Sequence, residues 1–168
     1  VLSLQESKAL SVDELATHLA PFKVQRATIT ALVETFDHAK TFGSLIQIPY
    51  ALKTHLAVLP KMLDKVRQSG DMYASAAADD LLPLVQQAQL LAMQFDAVVA
   101  NPPYMGGKGL NPLVKSLLLA SYEDVKSDLF SAFIKRCSEF AGSCGHVGVM
   151  CPNVWMYITS HEKLREYL

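Results

Sequence analysis

The chain has 168 residues, 51% of them hydrophobic and 18% charged, with a formal net charge of −1. A chain of that size and composition can bury about two-thirds of its unfolded surface, which excludes a disordered arm. The near-neutral charge excludes a domain that neutralises many phosphates by itself, no run of 18 apolar residues suggests a membrane span, and no basic-then-apolar leader suggests export.

Segment 1–93 reads as mainly helical. Ser11-Val12-Asp13-Glu14 fits a capping box that starts a short helix, with Pro21 just past its end. Ile29, Leu32, Val33 and Phe36 follow the spacing of an amphipathic helix, which Gly43 then breaks. Leu45 to Tyr50 reads as a short extended piece limited by Pro49, and Lys53 to Arg67 as helix with Pro60 at a kink or restart. Ser69-Gly70-Asp71 signals a turn. Met72 to Met93 is expected to form one or two helices with Leu81, Val85, Ala88 and Ala92 on one face and Pro83 near a first turn.

From 94 to 168 the pattern becomes that of an α/β sheet. Phe95 to Ala100 is a short apolar run, expected as a strand buried on both faces. It ends in Asn101-Pro102-Pro103-Tyr104, a tetrapeptide that chance supplies in on the order of one chain in a thousand of this length. Met105 to Pro112 is a glycine-rich loop. Phe130, Phe133, Ile134, Cys137 and Ala141 form a helical stripe from Ser127 to about Phe140, and Gly142 and Gly145 bracket the next turn. His146 to Cys151 reads as a second strand closed by Pro152. Thr159 and Glu162 form another capping box, opening a helix with Leu164, Tyr167 and Leu168 on its apolar face.

The tetrapeptide names a chemistry. The lone pair of an exocyclic amine on adenine, like that of an amide nitrogen, is delocalised, so the nitrogen attacks poorly while it stays planar. If the Asn101 side-chain oxygen and the Pro102 carbonyl each accept one N–H, the nitrogen is drawn toward a tetrahedral shape and its lone pair can be aimed at a methyl donor. Proline fixes φ, and the residue before a proline is kept out of the helical region, so both oxygens are prepositioned. Tyr104 supplies a face for stacking worth about 1–3 kcal/mol per base, comparable to the few kcal/mol that extruding a base costs. Ligands of open α/β sheets gather beyond the carboxyl ends of the strands, where Asn101 and Asn153 both fall, making Asn153 a candidate substrate contact.

Other signals are weaker. Gly106-Gly107-Lys108-Gly109 fails the P-loop pattern, which needs a glycine five residues before the Gly-Lys pair and Ser or Thr after it; Gly107, Gly109 and Pro112 likewise fail GxGxxG. A flap closing over an inserted base, with Lys108 as a substrate contact, is one reading of that loop and an inert loop the other. Lys108, Lys115 and Lys126 are candidates to line a path for a nucleic-acid backbone. Cys137, Cys144 and Cys151 recur every seven residues but fall on a helix, a turn and a strand without a CxxC pair, which points to reduced thiols, no metal, and a cytoplasmic compartment. The five histidines are scattered singly, and Trp155 is expected to pack.

The run FDAVVANPPYMGGKG, followed by SYEDVKSDLFSAFIKRCSEF and GHVGVMCPNVWMYITSHEKLREYL, resembles the catalytic core of amino-specific DNA methyltransferases that use S-adenosyl-L-methionine. Within them it is most similar to the large adenine-specific enzymes of bacteriophage exclusion (BREX) systems, with a weaker likeness at Thr41 to Gln47. The resemblance implies part of a doubly wound Rossmann-like sheet over 94–168, preceded by a mainly helical insertion over 1–93. It implies N6-adenine methylation of duplex DNA in bacterial restriction-modification and phage defence, possible other phage-defence subunits as partners, and no membrane. It puts Asn101 to Tyr104 at the target base, and Asp128 and Phe130 where related enzymes approach the donor or the base.

The family's cofactor loop, an acidic residue followed by Pro, Ala, Cys, Gly, Ser, Gly, occurs nowhere in these residues. Val1 is not a methionine and no stop signal precedes Leu168, so the chain is expected to be a fragment of a longer enzyme that supplies most of the cofactor site. Two rivals stand beside this reading: a protein-glutamine N5 methyltransferase, whose amide nitrogen poses the same problem, and a non-catalytic helical interaction scaffold.

Overall fold

The computed structural model describes residues 3–168; Val1 and Leu2, with which the predicted helical segment begins, lie outside the described residues. The chain divides after Ala92 into two compact units, each described by itself.

In the first unit the Ser11 hydroxyl accepts from the Glu14 N–H at 3.4 Å, the predicted cap, and starts α1 (Val12–Leu19). A 3-10 turn at Ala20–Phe22 follows, and Lys23 reverses the chain with a φ of 63°. Helix α2 (Arg26–Thr35) aims Ile29 and Leu32 into the core, joined by Phe36 just beyond its end. A single turn, α3 (Ala39–Phe42), stops at Gly43, whose φ of 57° is open to glycine at no steric cost.

The expected extended piece over Leu45 to Tyr50 is only partly so. Leu45 closes a 3-10 turn, Ile46 and Pro49 have extended backbone without a strand partner, and Tyr50 already begins α4 (Tyr50–Lys53). Pro49 explains the difference: its fixed φ suits the residue before a helix, and it has no N–H for a ladder. Helix α5 (Leu59–Arg67) restarts at Pro60, in the first turn where a missing N–H costs nothing.

The Asp71 carboxylate accepts from the N–H groups of Tyr73 and Ala74, both at 3.0 Å, and opens α6 (Met72–Ala92). This is one helix, and Pro83 stands inside it rather than near a first turn. The proline costs about 3 kcal/mol in a helix interior. Burial of Leu81, Leu84 and Val85, at about 1.5–3 kcal/mol each, outweighs it. Helix α6 packs against α1, α2 and α5, so contact on several sides overrides the local breaker. Its buried Gln87 donates to the Gln5 carbonyl at 2.9 Å and accepts from the Gln5 N–H at 2.8 Å, pinning the N-terminal segment to the core.

The second unit is built on two parallel strands, β1 (Ala97–Ala100) and β2 (His146–Val149), in register Ala97↔His146 to Ala100↔Val149. Between them run α7 (Pro112–Ser121), capped by the Asn111 side chain, and α8 (Leu129–Ala141), capped by Asp128. Helix α8 packs on both strands. Gly145 joins it to β2 where a Cβ would stand 2.0 Å from the Ala141 carbonyl oxygen and 2.6 Å from that of Phe95, so only glycine fits.

The predicted burial of the first strand on both faces does not hold, because Val99 is 86% exposed. With two strands and α8 on one side, the period-2 alternation turns Val98 and Ala100 inward and leaves Ala97 and Val99 outside. The architecture is therefore mixed: helices with a small two-stranded parallel sheet.

The second capping box also fails. Thr159 begins a 3-10 turn, and the last helix, α9 (Glu162–Tyr167), starts at Glu162 with no side-chain cap. Leu164 is buried, whereas Tyr167 and Leu168 are exposed. Among the described residues no helix is long and apolar enough to cross a membrane.

Candidate active site

Parallel pairing brings the carboxyl ends of β1 and β2 to one edge, and Asn101 is the first residue past that edge. The Met150 N–H donates to the Ala100 carbonyl at 3.0 Å, extending the pairing by one bond. Pro102 is buried and roots the corner, while Asn101, Pro103 and Tyr104 are exposed, Tyr104 to 53%.

The Tyr104 hydroxyl has one proton and two acceptors in reach, the Met150 carbonyl at 3.2 Å and the Asn101 Oδ1 at 3.5 Å. The shorter contact ties the ring to the end of β2, and the longer one is weak. The Asn101 oxygen thus stays open to a better donor, beside an accessible aromatic ring. Amide and carbonyl oxygens do not titrate near neutrality, so such a corner can orient an amino group without acting as a base.

The glycine loop is anchored at its root. The Leu129 N–H donates to the Met105 carbonyl at 3.1 Å, Gly106 bridges Asp128, and the Gly109 N–H closes a turn on the Gly106 carbonyl at 2.9 Å. Lys108 is exposed on this loop and Lys115 on α7, and neither forms an ion pair among the described residues. Lys126 stands 3.6 Å from Glu123. Asn153 lies beyond β2 at the strands' carboxyl edge, exposed in a 3-10 turn over Asn153–Met156. Neither Lys108 nor Asn153 hydrogen-bonds to Asn101 or Tyr104.

Asp128 and Phe130 are occupied otherwise. The Asp128 carboxylate accepts from the Phe130 N–H at 3.3 Å to cap α8, and its other oxygen lies against Gly106. Phe130 is 2% exposed, its ring 5.3 Å from that of His161. The Asp128 carboxylate thus serves the α8 cap, and the Phe130 ring packs in the interior of the unit.

His161 is a residue that no sequence signal announced. It is buried, with Nδ1 3.0 Å from the Ser131 hydroxyl and 3.4 Å from that of Ser127. Burial holds its pKa below the ordinary histidine value, against the opposing pull of the Asp128 charge. The three cysteines are free thiols, and burial pushes the Cys137 thiol up. Among the described residues no group of three or more His, Cys, Asp or Glu side chains is placed to hold a metal.

A model of the Eco57I restriction-modification methylase family matches residues 10–168. The chain belongs to this family. Over its whole length, in a 190-residue alignment, this Eco57I-family chain is 37% identical to the adenine-specific methyltransferase BrxX of Escherichia coli O9:H4 (strain HS), of which it covers 16%. It is also 28% identical over 137 residues to the type II restriction enzyme and methyltransferase RM.Eco57I of Escherichia coli, an alignment covering 79% of this chain and 13% of that protein. The chain thus spans less than a fifth of the length of these curated relatives.

Proposed function

We propose that the chain is the target-base corner of a longer bacterial enzyme that transfers a methyl group from S-adenosyl-L-methionine to the N6 amino group of an adenine extruded from duplex DNA. The observation that carries this reading is the open corner at the edge of a parallel pair. Pro102 is buried, while Asn101 and Tyr104 are exposed side by side. An adenine resting on the Tyr104 ring would place its amino group among the Asn101 and Pro102 oxygens, which bend the nitrogen out of plane as methyl transfer requires. Membership of a methylase family supports the same reaction class.

In this reading Lys108 and Asn153 approach the substrate. Asp128 and Phe130 frame the loop beneath the corner on the donor side, and the donor itself is held mainly by parts of the longer protein. The two strands are part of a doubly wound sheet completed there. The longer protein works in the cytoplasm on duplex DNA, in restriction-modification or phage defence, with other defence subunits as possible partners.

The test is Asn101→Ala in the full-length protein, assayed for transfer of labelled methyl groups to genomic DNA free of N6-methyladenine. A fall in kcat of about a hundredfold or more is expected, the scale of losing one preorganised polar group at a reacting centre. DNA binding should be unchanged. Full activity in Asn101→Ala would end the proposal.

A further inference from the structure

Tyr104 does more in this corner than offer a flat ring. Its hydroxyl reaches the carbonyl of Met150 at 3.2 Å, while the Met150 N–H is already bonded to the Ala100 carbonyl at 3.0 Å. The Met150 peptide is therefore gripped from both ends, by the last residue of β1 and by the last residue of the tetrapeptide. These two bonds close a ring through Ala100, Asn101, Pro102, Pro103 and Tyr104, and within it the Asn101 Oδ1 lies 3.5 Å from the same hydroxyl. A stacking residue alone needs no hydroxyl, since phenylalanine presents a similar face. The side chain is also 53% exposed, so packing covers only part of the ring.

We propose that the Tyr104 hydroxyl is a positioning group, a clasp that holds the aromatic ring beside the Asn101 oxygen by anchoring the ring to the Met150 carbonyl at the end of β2. Before substrate enters, the phenolic proton is shared between the Met150 carbonyl and the Asn101 oxygen. An incoming amino group, as the better-placed donor, takes the Asn101 oxygen, and the phenolic proton is left wholly with Met150. The clasp thus tightens on the ring as the reacting nitrogen arrives. No bond to carbon is made or broken by the hydroxyl.

The inference rests on the methyl-transfer reading, and its test is separable from it. In the full-length protein, Tyr104→Phe keeps the ring and removes the clasp, whereas Tyr104→Ala removes both. With labelled S-adenosyl-L-methionine and methyl-free genomic DNA, Tyr104→Phe is expected to lower kcat about five- to tenfold, the range of one net hydrogen bond. KM for DNA should change less than about twofold, because stacking is retained. Tyr104→Ala should lower kcat further and raise KM. Thermal melts of both variants should match the parent, since the side chain is half-exposed.

Wild-type kcat in Tyr104→Phe, or a loss confined to KM, would overturn the clasp. An inactive Asn101→Ala protein would still leave the reaction assignment standing in that case. Full activity in Asn101→Ala would instead remove the reaction on which the clasp depends.

Discussion

Ile29, Leu32, Phe36, Leu63 and Leu81 have no exposed surface in the helical unit, whereas Val99 on β1 is 86% exposed and Met150, just past β2, is 68% exposed. The first unit closes its core against itself with helices that are capped, restarted and pinned by buried side chains. The second covers one face of its strands with α8 and leaves the other face and the corner beyond it open. The fully buried helical core and the exposed tetrapeptide corner therefore lie in different units. Around the helical core the chain is held by packing on several sides, and at the corner, where the Asn101 and Tyr104 side chains are exposed, by a few hydrogen bonds.

Substitutions can break that contrast. Phe36→Ala empties a fully buried site and is expected to cost about 3–5 kcal/mol, whereas Val99→Ala on the open strand face should cost under about 0.5 kcal/mol. Urea unfolding separates the units spectroscopically. Far-UV circular dichroism is dominated by helices such as α6, and fluorescence reports Trp155 in the second unit. Phe36→Ala should shift the dichroism transition more than the fluorescence transition, and equal shifts would show that the units unfold as one.

A smaller loss, about 2–3 kcal/mol, is expected from Gly145→Ala, because the new methyl group must displace the Ala141 or Phe95 carbonyl. That loss should appear in the Trp155 signal. A neutral Gly145→Ala would mean that the α8 to β2 turn relaxes freely.

The smallest effect is one of pH. Burial lowers the folded-state pKa of His161, so the unfolded chain binds the proton more readily. This contribution is present above the unfolded value of about 6.5 and is lost as pH falls below it toward the folded value. Melting of the second unit should thus drop between about pH 7.5 and 5.5, and His161→Gln should flatten the drop. An unchanged slope in that variant would assign the pH dependence to other groups.

What was legible in the residues was local. The Ser11 cap, the Ile29, Leu32 and Phe36 stripe, the restart at Pro60 and the glycine turn before β2 each depend on neighbours a few positions away, and each is present. Pro83 misled because contacts of α6 with three other helices outweigh a local breaker, which no window along the chain can weigh. Thr159 and Glu162 misled because a 3-10 turn intervenes before the helix. Helix α7 goes unpredicted although Asn111-Pro112 is a start signal. At the site, the tetrapeptide stood out by composition alone. Its bond to the Met150 carbonyl was invisible because a main-chain oxygen carries no residue signature.

The Tyr104 to Met150 bond spans 46 residues of chain. Bringing together ends so separated carries a loop-closure entropy of about 3 kcal/mol that a local turn never faces. Until β2 has docked, the Tyr104 hydroxyl lacks its Met150 acceptor, so the corner is completed only after the second strand has left the ribosome. A corner arranged in this way acquires its final geometry only once α8 and the second strand have been made and folded.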